Sequence, residues 1–184
     1  MADFRLETER LVLRDWREDD VAPFHALCSD ARVMEFLGPL QERSEAEAAV
    51  ERQNALQDLV GYCFWALERR SDGAFLGFCG LKPGPEGTPL DGVTEIGWRL
   101  AYEAWGQGYA REAALTALAW GFANLFDQTI WAMTVPANLR SQGLMQRLGM
   151  RRHERLDFDH PALAEGDPLR RHVVYAIGRG DTLR

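Results

Sequence analysis

The sequence has no long apolar run, no clustered cysteines and no basic stretch, and each absence removes a class of protein. Its longest mostly apolar segment, Ala113 to Phe126, is shorter than the ~20 residues a membrane-spanning helix needs. The opening "MADFRLETERLVLRDW" mixes both charges and lacks the apolar stretch of a signal peptide, so a cytoplasmic protein with no membrane partner is expected. Cys28, Cys63 and Cys79 lie far apart without a C-x-x-C pair, which favours reduced thiols in a core over a disulfide framework. A formal charge of −7 without a Lys/Arg cluster argues against a nucleic-acid partner, because duplex affinity rests on neutralising phosphates. At the level of encounter, the same charge favours a cationic acceptor.

The 184 residues, 46% hydrophobic and 27% charged, predict one globular domain over 1–184 with a core of its own. "RLETERLVLRDW" alternates apolar and polar residues and reads as a strand around Leu11 to Leu13. "REDDVAPFHALCSD" places acidic residues and Pro23 in a first helical turn. Ser44 followed by Glu47 matches a capping box ahead of "AEAAVERQNALQDL". Three strands follow, "YCFWALER", "GAFLGFCGLK" and "GVTEIGWRLA", with a turn at Ser71 to Gly73 and a loop from Pro83 to Gly92. A long helix, the strand Thr129 to Val135, a shorter helix from Asn138 and the strand "HVVYAIGR" complete an α/β or α+β sheet with two helices on it.

"EAWGQGYAREAALTALAWGFANLF" sets two glycines directly ahead of the long helix. Bare backbone there leaves N–H groups open, and with the helix dipole they form an anion site, most often for phosphate. The dinucleotide fingerprint fails, because Arg111 stands where its third glycine belongs and Asp127 precedes the next strand instead of ending it. A P-loop fails as well, since no Gly-Lys-Ser/Thr follows.

"EIGWRLAYEAWGQGYAREA" and "VPANLRSQGLMQRLGM", in this order and separation, resemble the GNAT superfamily of acyl-CoA-dependent N-acetyltransferases, in particular its RimJ/RimL-like branch. The resemblance runs from about Thr8 to Tyr175. It implies a single GNAT domain with a mixed, mostly antiparallel, twisted sheet, flanked by helices and splayed between the strand Glu95 to Leu100 and the strand Thr129 to Val135. Acetyl-CoA would lie in the gap. The family's phosphate pattern, Q/R-x-x-G-x-G/A, falls on Trp105, Gly106, Gln107, Gly108, Tyr109 and Ala110, with Trp105 departing at the first position. Main-chain amides of Gln107 to Ala110 would then hold the pyrophosphate, and main-chain groups of Trp98 and Leu100 would pair with the pantetheine arm. One of these N–H groups would also meet the thioester carbonyl.

The resemblance implies that an amine attacks an acetyl thioester, so the amine must arrive neutral and the leaving thiolate must be protonated or stabilised. A lysine amine, with pKa about 10.4, is only about a thousandth neutral near pH 7.4, a deficit of ~4 kcal/mol. An α-amine, with pKa ~7.7–8.0, loses less than ~1 kcal/mol. Glu95 is the candidate base, acting through water; the plainer alternative is an ion pair with Arg99 on the same strand face. Asn138 is expected to cap the helix "NLRSQGLMQRL", and the family reading adds a hydrogen bond to the cofactor arm. The tyrosine acid of many relatives is replaced by Met145, which leaves Ser141 to contact the sulfur; the plain alternative for Ser141 is a second cap.

Arg111, Arg140 and Arg147 are candidates for the cofactor phosphates, while Trp98 and Trp65 could wall an acceptor pocket or pack the core. The run from Asp157 to His172 contains Asp157, Asp159, His160 and His172 but no metal-ligand spacing, so no metal is expected, and the run reads as a loop before the last strand, bordering the acceptor. The acceptor is expected to be a protein or peptide N-terminal α-amine. The rivals are a small amine such as an antibiotic, polyamine or amino acid, and a non-catalytic acyl-CoA-binding module. A homodimer is left open.

Overall fold

The computed structural model of the chain describes residues 4–183. Among these residues nine strands build one sheet. Strands β1 (Arg5–Glu7), β2 (Leu11–Arg14), β3 (Phe64–Arg69), β4 (Phe75–Pro83) and β5 (Thr94–Leu100) follow one another as antiparallel neighbours. β6 (Thr129–Thr134) lies parallel to β5, and β9 (Arg171–Gly178) lies antiparallel to β6. The two-residue strands β7 (Arg151–Arg152) and β8 (Phe158–Asp159) pair with β9. The predicted strands therefore all form, and β1, β7 and β8 are additions; no hydrophobic alternation can announce segments that short.

The helices are α1 (Val21–Cys28), α2 (Ala31–Met34), α3 (Arg43–Val60), α4 (Tyr109–Asn124) and α5 (Leu139–Arg147). Pro23 sits in the first turn of α1 as predicted, where a missing N–H costs nothing. The capping box at α3 lies earlier than Ser44 and Glu47 suggest. Glu42 is the N-cap and its N–H donates to Glu45 Oε2 at 2.8 Å, so Ser44 falls inside the helix.

α4 packs on one face of the sheet at a glycine. A Cβ on Gly121 would lie 2.5 Å from Leu81 Cδ1 and 2.9 Å from Ile130 Cδ1, so helix and strands approach closer there than any side chain allows. α1 and α3 cover the other face of β3 to β5. Under α1, Arg14 and Asp20 form a buried bidentate pair with contacts of 2.7 and 2.9 Å, and Glu68 accepts from Arg14 Nε at 2.7 Å. The thiols of Cys28, Cys63 and Cys79 are free and buried, as the composition predicts.

Candidate active site

The sheet parts between β5 and β6. Among the described residues, Glu95 opposite Trp131 is the one register pair that joins them, and β5 continues to Leu100 with no strand on that edge. Ala101 N–H donates to Leu76 O at 2.9 Å, so alternation along β5 turns the main-chain groups of Gly97 and Arg99 toward β4 and those of Trp98 and Leu100 toward the opening. The Leu100 carbonyl is already taken, because Trp105 Nε1 donates to it at 2.8 Å.

The glycine turn closes the same end of the cleft. Gly106 and Gly108 have φ of 73° and 81°, a left-handed backbone that strains any residue with a Cβ, and Gly108 is the N-cap of α4 without a side-chain cap. Among the described residues, no protein acceptor takes the N–H groups of Gly106 through Arg111. An anion at this helix start would meet open donors and a favourable dipole. The turn is fastened to β2 through Glu112, whose Oε1 accepts from Thr8 Oγ1 at 2.5 Å and from Arg10 N–H at 2.9 Å. Arg10 Nε donates to Glu112 Oε2 at 2.7 Å and its Nη1 to Gln107 O at 2.9 Å. Burial pushes the Glu112 carboxyl up, but these hydrogen bonds outweigh it and hold the group below its ordinary value. Thr8, Arg10 and Glu112 did not stand out in the sequence, because their meeting depends on a contact across a hundred residues.

The two segments of the family resemblance meet across the cleft. Arg140, on α5, lies over the Trp105 ring at 4.9 Å from its centroid, so the residue that departs from the phosphate pattern carries a cation from the opposite arm. Asn138 caps α5 by accepting Ser141 N–H at 3.1 Å. The Ser141 hydroxyl makes no hydrogen bond among the described residues, which removes the second-cap alternative and leaves it a free donor. Met145 is buried in the core. Arg111 and Arg147 are exposed on α4 and α5 without a carboxylate partner among the described residues.

Glu95 is buried, with 8% of its side chain exposed, and pairs with Lys82 across the strand: Nζ stands 2.7 Å from Oε2. The ion pair of Glu95 is thus made with Lys82 and not with Arg99, the partner of the plainer alternative. The contact is close but poorly aligned, so Oε2 keeps no hydrogen-bond partner. Burial raises the Glu95 pKa, and the nearby Lys82 charge pulls it back in part. Lys82, the single lysine of the chain, carried no signal in sequence, because its register opposite Glu95 is set across the Pro83 to Gly92 loop.

On the Glu95 face of β5 lies a cavity of about 200 Å³ under α1 and α3, lined by Trp16, Phe24, Phe64 and Phe78 among others. Trp65 is not among its walls: it is fully buried on the α4 side, stacked on Phe4 and edge-on to Trp120. Trp98 is likewise on the face opposite Glu95 and packs against the core.

A family profile described as "Acetyltransferase (GNAT) domain" matches residues 10–151. The chain belongs to this family. YkkB of Bacillus subtilis is 31% identical over 150 residues, spanning 81% of this chain and 86% of that protein. The FsC-acetyl coenzyme A-N(2)-transacetylase of Aspergillus fumigatus is 26% identical over 162 residues, 83% of this chain and 66% of that protein. Among solved structures, RimL, a ribosomal α-N-protein acetyltransferase in complex with coenzyme A, superposes with a TM-score of 0.75 at 16% identity, over 95% of this chain and 98% of RimL, a likeness of fold. As a GNAT member the chain is an acyl-CoA-dependent acetyltransferase, and the open amides at the glycine turn and the unpaired edge of β5 suit that substrate.

Beyond β9, the Asp157 to His172 run is more ordered than a plain loop. Asp157 pairs with Arg152 and accepts Val174 N–H at 3.3 Å, while Phe158 stacks on His172 and the His160 ring lies tilted against both. Burial, followed by the His160 charge, lowers the His172 pKa against the raising effect of the Arg170 carbonyl.

Proposed function

We propose that the enzyme transfers an acetyl group from acetyl-CoA to a primary α-amine, most directly the N-terminus of a peptide or protein. The Lys82–Glu95 pair carries this reading. A carboxylate this buried, held by a cation, is a modest base reached through water. That is enough for an α-amine with pKa ~7.7–8.0 and poor for a lysine with pKa about 10.4.

In this reading, amides of Gln107 to Ala110 hold the pyrophosphate, with Trp105, Gly106 and Arg111 completing the turn and the Arg10 guanidinium beside it. The open main-chain groups of Trp98 and the N–H of Leu100 align the pantetheine arm, Asn138 orients it, and a main-chain N–H on β5 stabilises charge on the thioester oxygen. Glu95 takes the amine proton and Ser141 donates to the departing sulfur.

A second reading, a small amine as acceptor, is favoured by the size of the cavity on the Glu95 face of β5. At about 200 Å³ it lies below the usual range of ligand pockets, ~300–1,000 Å³, and suits one side chain or one small molecule. Amine-dependent thiol release over a panel of peptides with free and blocked α-amines, lysine-containing peptides and small amines tests both readings. Release with free α-amines and not with the blocked peptides supports the proposal. Release with small non-peptide amines alone selects the second reading, and no release with any amine sinks both.

A further inference from the structure

The chain carries 28 acidic residues against 21 basic ones, yet the cavity under α1 and α3 has the opposite local charge. Arg52 and Arg99 line it, and no Asp or Glu does. Among the described residues, neither arginine has a carboxylate partner. Arg99 Nη1 donates to Cys28 Sγ at 3.1 Å, a weak acceptor, and Arg99 Nε is buried without any. The guanidinium also lies 5.5 Å from the Phe78 ring centroid, held among aromatic walls that cannot neutralise it. Gln41 lines the same cavity, and its Oε1 is buried without a donor. Arg99 is half-buried, and a charge withdrawn from water with unfilled hydrogen-bonding capacity is costly unless something pairs with it.

We infer that Arg99 is the specificity residue of the acceptor site, and that the acceptor amine carries a carboxylate which the Arg99 guanidinium binds. Arg52 adds charge at the exposed rim, and Gln41 Oε1 takes an N–H of the same molecule. The remainder of the acceptor lies against Trp16, Phe24 and Phe78, while Phe64 closes the cavity toward Glu95: its ring occupies the space a Cβ on Gly97 would need, at 2.6 Å from Phe64 Cζ. The expectation of a cationic acceptor, drawn from net charge, is reversed at this site. The inference rests on the acetyl-transfer reading and narrows its substrate class to amines bearing an anion. The carboxylate has two sources, the acidic first side chain of a peptide or the α-carboxylate of a free amino acid.

The test compares matched acceptors that differ only in this group. One arm sets a pentapeptide beginning with Asp against the same peptide beginning with Asn; the other sets phenylalanine against phenylalaninamide. Thiol release gives kcat/KM for wild type, Arg99→Leu and Arg99→Lys, and calorimetry on protein saturated with coenzyme A gives acceptor binding without chemistry. Wild type is expected to favour the carboxylate form in one arm by about ten-fold or more, the worth of a charge-assisted hydrogen bond. Arg99→Leu should erase the preference through KM with kcat little changed, and Arg99→Lys should retain part of it. The arm that shows the preference identifies the source. Equal use of both forms by wild type, or a preference that survives Arg99→Leu, overturns the inference while acetyl transfer stands. If no amine is acetylated but the carboxylate form still binds in an Arg99-dependent way, the inference holds and the acetyl-transfer reading fails. Should Arg99→Leu not fold, loss of the preference must appear as a reduced ratio in Arg99→Lys; an unchanged ratio there counts against it.

Discussion

Lys82 Nζ stands 2.7 Å from Glu95 Oε2, across two antiparallel strands and at the point where the sheet parts. The pair fixes the sign of a pH effect. Glu95 accepts a proton only when ionised, so kcat/KM rises with pH through its raised pKa. Lys82→Met leaves burial unopposed, raises that pKa further and moves the acidic limb to higher pH. The pH profile of kcat/KM with one peptide acceptor checks this. Because the acceptor's own titration is common to both proteins, a limb that does not move counts against Glu95 as the base.

Glu95→Gln should cost more rate on a lysine side-chain amine than on an α-amine, because the lysine starts ~4 kcal/mol from its neutral form. Loss on the lysine substrate is expected near the 10²–10⁴-fold worth of general base catalysis, about 10²-fold at least. Parallel kinetics on an N-terminally blocked lysine peptide and a lysine-free peptide provide the comparison, and equal losses contradict the assignment.

Ser141→Ala is expected to lower kcat about 10²-fold while leaving coenzyme A affinity and melting temperature nearly unchanged, because Asn138 and not Ser141 caps α5. Asn138→Ala should instead cost ~1 kcal/mol of stability. Denaturant unfolding of both variants beside steady-state kinetics separates the two roles. A Ser141→Ala enzyme with full kcat would remove the serine from the mechanism.

Asp20→Ala takes the bidentate partner from the Arg14 guanidinium, which is almost fully buried and keeps Glu68 only at Nε, and should destabilise the fold by ~1.5–3 kcal/mol, read from urea unfolding. Exposed pairs such as Arg43–Glu47 should contribute under about 0.5 kcal/mol in the same assay. An Asp20→Ala cost as small as that of the exposed pair would contradict the burial argument.

The strands with long alternating or apolar patterns, and the two helices around the cleft, were legible in the chain because periodicity and glycine punctuation are local. Gly106, Gly108 and Asn138 were readable for the same reason, each being demanded by the backbone within a few residues. Lys82 opposite Glu95, Arg10 on Glu112 and Arg140 over Trp105 were not, since each depends on a register or a packing contact between distant segments. Trp65 could be read either as core or as pocket wall; its stacking on Phe4 decided for core. Net charge carries no information on the cavity under α1 and α3, whose charged lining residues are Arg52 and Arg99, because it averages over the whole chain.

The account depends most on where acetyl-CoA is held, and amide hydrogen exchange with and without coenzyme A tests this directly. Strong protection is predicted at the amides of Gly106 to Arg111 and at Trp98 and Leu100, which have no strand or helix partner of their own. Tight binding of coenzyme A that leaves these amides exchanging as in the free protein would contradict it.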